Sequence, residues 1–186
     1  MIHPIVILLV FIMAGCSEPP AVKFISDKTE TLREEKFEIL YPHDWDVSGT
    51  EDTISPEKKC VYHLTHPENK KCRITIERSV VPAQGDGTLL PFNKLAAKKI
   101  RDLKNQFSSS GYRDFSFYTN ETTFTGRSAT QLAIKGSKKD VTRELTAYMI
   151  IHNDYFYIIS YEWFSDWNLQ ARSHMKAAVA SFRLIH

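Results

Sequence analysis

Cys60, His63, His66 and Cys72 are the residues of this 186-residue chain whose types and spacing come nearest to a chemical motif. Their pattern, C-x2-H-x2-H-x5-C, supplies four side chains of the kinds that hold zinc. The same span, CVYHLTHPENKKC, reads as two strand pieces around a His-Pro-Glu-Asn-Lys turn. Strand side chains alternate with a period of two, so positions 60, 63 and 66 cannot share one face. That counts against a metal site, and three readings stay open: a disulfide between Cys60 and Cys72, two free thiols, or a metal. Elsewhere the chemistry is sparse. No two histidines have the i, i+4 spacing of a HExxH helix, and there is no GxSxG elbow. The glycines of Ala83–Gly87 (AQGDG) lack phosphate-loop spacing. Ser108, Ser109 and Ser110 read as the polar end of a helix. Glu77, Glu144 and Glu162 stand in strand-like runs near cationic residues, a pattern that cross-strand ion pairs produce more often than acid–base sites do. Nothing here calls for an enzyme, a metal or a cofactor.

One cysteine reads differently. The chain opens MIHPIVILLVFIMAGCSEPP, with no charge from Pro4 to Gly15. Twelve residues of helix span roughly 18 Å, short of the ~30 Å hydrocarbon core, so the run has the length of a signal-peptide core and not of a membrane span. Met13-Ala14-Gly15-Cys16 resembles the lipobox of bacterial lipoproteins. The resemblance implies removal of residues 1–15 and attachment of diacylglycerol and a further acyl chain (palmitate-class) to Cys16. An ordinary secretory signal with an unrelated cysteine is the alternative. Two or three acyl chains hold firmly where one does not. Ser17 after the cysteine resembles the outer-membrane sorting rule and favours that membrane over the inner one. Residues 16–34 are expected to be the lipidated cysteine and a flexible spacer, and 35–186 a single domain facing the periplasm. In that compartment the even pair left over, Cys60 and Cys72, is expected to form a disulfide, which would contribute about 3 kcal/mol in the chain-entropy account.

The elements around these residues follow from periodicity. Phe37, Ile39 and Tyr41 alternate as a strand, Pro42-His43-Asp44 turns it, and Trp45 reads as a buried plug. Ser48–Lys59 reads as a hairpin or irregular edge; Val61–Leu64 and Arg73–Val80 read as strands. In PFNKLAAKKIRDLKNQF, Phe92, Leu95, Ala96, Ile100, Leu103 and Phe107 recur at helical spacing, with Pro91 in the first turn. Four strands follow: Asp114–Phe124, Arg127–Lys135, Arg143–His152 and Tyr155–Phe164, turning at Gly126, at Gly136-Ser137-Lys138-Lys139 and at Asn153-Asp154. YFYIISYEWF is apolar on both faces and therefore needs a layer on each side. A last helix, capped by Ser165 or Asp166, supplies one layer through Trp167, Ala171, Met175, Ala178 and Phe182. The expected fold is α/β (α+β): an antiparallel-rich sheet sandwiched by helices. The formal net charge of +2 lacks the basic excess of a nucleic-acid binder.

Tyr41-Pro42-His43-Asp44-Trp45, the lone central helix, the YFYIISYEW strand and the closing Ser181-Phe182 resemble the PsbP-like superfamily, its DcrB-like lipoproteins included, over about residues 35–185. The resemblance implies a PsbP-like α/β/α sandwich and a non-catalytic accessory role. The expectation is a lipid-anchored protein of the bacterial cell envelope that binds or stabilises another, unidentified envelope protein. Tyr155, Tyr157, Tyr161, Trp163 and Trp167 are the candidate partner-binding residues, against the commoner fate of aromatics in central strands, which is burial. One alternative is a membrane-surface module whose basic helix face (Lys94, Lys98, Arg101, Lys104) meets anionic head groups at about 1 kcal/mol per cation. Another is a periplasmic hydrolase assembled from distant residues.

Overall fold

The structure is a computed structural model, and it describes residues 28–52, 58–167 and 169–185. Residues 1–15 and Cys16, with the signal and lipidation expected of them, lie outside the described residues.

Five strands precede the first helix: β1 (Thr29–Arg33), β2 (Phe37–Pro42), β3 (Asp46–Glu51), β4 (Cys60–Thr65) and β5 (Arg73–Val80). Helix α1 (Phe92–Ser109) leads into β6 (Arg113–Phe124), β7 (Arg127–Lys138), β8 (Val141–His152) and β9 (Tyr155–Phe164). Helix α2 (Leu169–Ser181) and a short β10 (Arg183–Leu184) close the described chain. The main sheet has seven strands in the order β3-β4-β5-β9-β8-β7-β6, and a smaller sheet has the order β1-β2-β10. Every pairing is antiparallel.

β9 sits at the centre because it is the strand with two apolar faces. On one side Phe156 and Ile158 join Leu132, Ile134 and Met149 beneath Leu95, Ala96 and Phe107 of α1. On the other, Tyr157 and Ile159 meet Phe37 and Ile39 of β2 and Met175, Ala178 and Phe182 of the last helical segment. The layers are therefore α1, the seven-stranded sheet, and then α2 with the small sheet. The Trp45 plug is 4% exposed, and Phe182 is fully buried. Ser181 Oγ accepts a hydrogen bond from Leu40 N at 2.9 Å, so the closing Ser-Phe ties the end of α2 to β2.

Four expectations need correction. The chain expected to be spacer as far as residue 34 contains β1, which pairs with β2 along its whole length. Its sequence, TETLR, is polar and largely exposed, so no apolar alternation announces it. Gly136 is not in a turn. It lies inside β7, where a Cβ would come within 2.8 Å of Phe107 Cε1 and of Phe115 Cβ. The turn is instead at Lys139-Asp140, with Lys139 at φ +54°. Ser165 does not cap α2, because its hydroxyl accepts from Thr142 N on β8 at 2.8 Å.

The fourth correction is the disulfide: Cys60 and Cys72 are both free and buried. Cys60 pairs with Arg78 at one end of the β4–β5 ladder, whereas His66 N donates to Cys72 O at the other. Six residues of strand at about 3.3 Å each separate those ends by roughly 20 Å, and a disulfide needs Cα atoms within about 7 Å. The same spread parts the four zinc-type side chains. Among the described residues no group of three or more His, Cys, Asp or Glu is placed to hold a metal.

Candidate functional site

α1 packs on β7 and β8 and leaves the β4–β5 end of that sheet face open. A cleft of about 190 Å³ lies there, under Leu103 and Gln106 of the helix. Alternation along the strands brings polar side chains to it: His63 from β4, Arg73 and Glu77 from β5, Glu162 from β9 and Arg143 from β8. Charged groups on a mostly buried face must find partners or withdraw to solvent.

They find partners. Arg143 Nε donates to Glu162 Oε1, and Arg73 Nη2 stands 3.7 Å from Glu162 Oε2. The Arg143 guanidinium also lies 4.5 Å from the centre of the Phe107 ring and 5.4 Å from that of Tyr112, within cation–π range. Glu77 Oε2 is 2.8 Å from Lys99 Nζ and 2.9 Å from Lys59 Nζ. Burial pushes the Glu77 pKa up, but Lys99 and Lys59 outweigh it and hold the carboxyl below its ordinary range. His63 Nδ1 is 3.1 Å from Thr75 Oγ1, and burial, helped by Arg73, lowers its pKa. His63 is thus neutral near pH 7, and its hydrogen-bond partner is a threonine. Ser160, on the same face, turns its hydroxyl toward Thr75 O at 3.5 Å. Hydroxyl, imidazole and carboxylate share the cleft without forming a relay, since each carboxylate is taken by two cations. The cross-strand ion pairs expected at Glu144 and Glu162 are present, Glu144 being met by Lys135 at 3.4 Å and also by Arg172, whereas Glu77 is paired from α1 by Lys99 and from just before β4 by Lys59.

The aromatic candidates fare differently. Tyr157, Tyr161 and Trp163 are core residues and cannot present rings to a partner, because layers on both sides bury β9. Tyr155 is half-buried under the Arg78 guanidinium. Trp167 is half-buried and edge-on to His66, whose other neighbour is Trp45. The exposed rings are elsewhere, on the edge strand β6: Phe115, Phe117 (53% exposed) and Tyr118 (61% exposed). Periodicity identifies β6 as a strand but does not say that it is last in the sheet, so it gives no sign that these three rings are exposed. Of the basic candidates, Lys94, Lys98 and Arg101 are exposed, while Lys104 lies over the Phe117 ring.

No family model matches the sequence, and no curated protein matches it. Among solved structures, the chain is similar to cyanobacterial PsbP (CyanoP) from Synechocystis sp. PCC 6803. The identity is 12%, the match covers 84% of this chain and 92% of that one, and the TM-score is 0.59. A protein from Bacteroides thetaiotaomicron VPI-5482 matches at 11% identity and TM-score 0.45, over 81% of this chain and 45% of that one. A Pseudomonas aeruginosa protein of unknown function matches at 15% identity and TM-score 0.40, over 82% and 94%. The first of these shows the fold: an antiparallel α+β fold with two helices, similar to that of PsbP.

Proposed function

We propose that this protein is a lipid-anchored accessory module of the bacterial cell envelope that performs no catalytic step and holds or stabilises another envelope protein. Two features of the sequence and fold support the reading. The Met13–Cys16 lipobox supplies the tether, with the outer membrane favoured, and the PsbP-like fold agrees with an accessory role. The observation that carries it is the contrast between the two polar and aromatic surfaces. The cleft residues are spent on one another, two cations to each carboxylate. The exposed rings gather instead on β6, whose outer edge pairs with no strand among the described residues. An exposed edge with aromatic side chains is a surface on which another chain can dock.

The test places a photo-crosslinking amino acid at Tyr118 in the native bacterium. One discrete adduct is expected, absent when the same residue replaces exposed Leu169. Adducts of the same identity from both positions would refute docking through β6. In the same cells the protein should take up labelled palmitate and Cys16→Ala should not; an original chain that takes up no palmitate refutes the anchor. The second reading, docking of α1 on anionic lipid, rests on exposed Lys94, Lys98 and Arg101. It requires that reversing those charges weaken flotation of the protein with anionic vesicles.

A further inference from the structure

A second, roomier opening lies on the opposite sheet face. α2 covers β5 and β9 there and leaves a groove of about 530 Å³ against β6, β7 and β8. That is within the range of small-molecule sites. Tyr148 and Tyr161 line it from the sheet, and Val179 and Ala180 line it from the helix. Phe124 stacks on Tyr148 with ring centres 4.4 Å apart and planes 11° apart, which holds the Tyr148 ring in place.

Several polar groups in the groove can donate. Gln131 Nε2 donates to Tyr148 Oη at 3.2 Å, so the tyrosine's own O–H hydrogen is left for another acceptor. Burial raises the Tyr148 pKa and keeps that proton on. Thr125 Oγ1 is buried with no hydrogen-bond partner. Lys176 is the one charged residue of the lining and forms no ion pair among the described residues. Among the described residues no aspartate or glutamate lines the groove. A ring-floored site with a free ammonium and a spare hydroxyl donor, and no anion of its own, is complementary to a flat molecule that carries negative charge.

We propose that this groove binds a small organic anion, a carboxylate or sulfonate borne on an aromatic ring. The ring lies against the half-buried Tyr148, and the anion accepts from Lys176 and from the Tyr148 hydroxyl. The site is independent of the envelope role, since it uses neither the anchor nor β6's exposed rings.

The probe is 2-naphthoate, titrated calorimetrically into the full-length chain in detergent, with the groove followed by the Gln131 side-chain amide in NMR spectra. Two controls separate the contributions: 2-naphthamide keeps the ring without the charge, and acetate keeps the charge without the ring. Saturable binding of naphthoate that shifts the Gln131 amide is expected, with no binding of acetate. Lys176→Glu, at an exposed position, should weaken it by about tenfold or more, the loss of one charge-assisted contact. Tyr148→Phe keeps the ring stack and should weaken it as well. The proposal is overturned if naphthoate does not saturate, if Lys176→Glu leaves its affinity unchanged, or if naphthamide binds as tightly.

Discussion

Replacing Glu162 by glutamine probes whether the cleft under α1 is a closed ion network. The Glu162 and Arg143 side chains are 10% and 9% exposed, so the pair is shielded from water on most sides. Glutamine has nearly the same volume and keeps an oxygen for Arg143 Nε, but it removes the counter-charge. No spare anion can take over, because Glu77 is already bound by Lys59 and Lys99. Breaking a buried pair from one side costs roughly 3–5 kcal/mol, and the retained hydrogen bond sets the expectation at the low end, about 3 kcal/mol. With a urea m-value of about 2 kcal/mol/M, the unfolding midpoint should fall by about 1.5 M. The double variant Glu162→Gln with Arg143→Met should lie within about 1 kcal/mol of the original, since methionine fills the space beside Phe107 and the cation left over, Arg73, is 41% exposed and keeps its hydration. Urea titration followed by tryptophan fluorescence and far-ultraviolet circular dichroism measures both. A midpoint within about 0.3 M of the original for Glu162→Gln, or additive losses in the double variant, would refute the reasoning.

Three other outcomes are expected. Gly136→Ala should cost about 1–3 kcal/mol in thermal unfolding, because its Cβ meets Phe107, which is 1% exposed and cannot move aside; an unchanged melting temperature would show that the β6–β7 bulge yields. Burial lowers the pKa of both His63 and His174 below the ordinary 6.5. Both are neutral in the folded and unfolded chain above that value. As pH falls below it, the unfolded chain takes up protons that the folded sites refuse, so stability should drop, and His174→Met should flatten part of that slope. Burial raises the pKa of Cys60 and pushes that of Cys72 up to about 11, so iodoacetamide should react slowly with both in the folded protein at neutral pH. Both should alkylate without reductant once the chain is unfolded, and intact mass should show no internal disulfide to reduce.

Much of the fold is legible locally. The two apolar faces of Tyr155–Phe164 announce a central strand under two layers, and the three- and four-residue steps from Phe92 to Phe107 announce α1. Both follow because alternation and helical spacing report burial residue by residue. β1 and β10 escape, because they are held by backbone pairing to β2 and bury little of their own side chains. Gly136 misleads for a related reason. A glycine signals either a turn or a close approach, and the approaching rings, Phe107 and Phe115, come from a helix and a strand outside its own hairpin.

The surfaces show the same division. Cross-strand partners for Glu144 and Glu162 can be anticipated from composition, whereas the Lys99 partner of Glu77 and the stacking of Arg143 on Phe107 cannot, because they depend on where α1 crosses the sheet. The five aromatics of the β9 region are possible contacts by residue type, yet strand order buries three of them and exposes Phe115, Phe117 and Tyr118 on β6.

From the order of residues alone came the expectation of a leader and lipobox, the succession of strands and helices, the near-neutral charge and the double-sided central strand. Each is written in short-range patterns that a chain carries before it folds. The tertiary structure decided that Cys60 and Cys72 stand at opposite ends of a ladder, that β6 is an edge, and that a groove bearing Lys176 and Tyr148 opens beside α2. Those depend on register and strand order, which bring together residues far apart in the chain, and no local spacing encodes them.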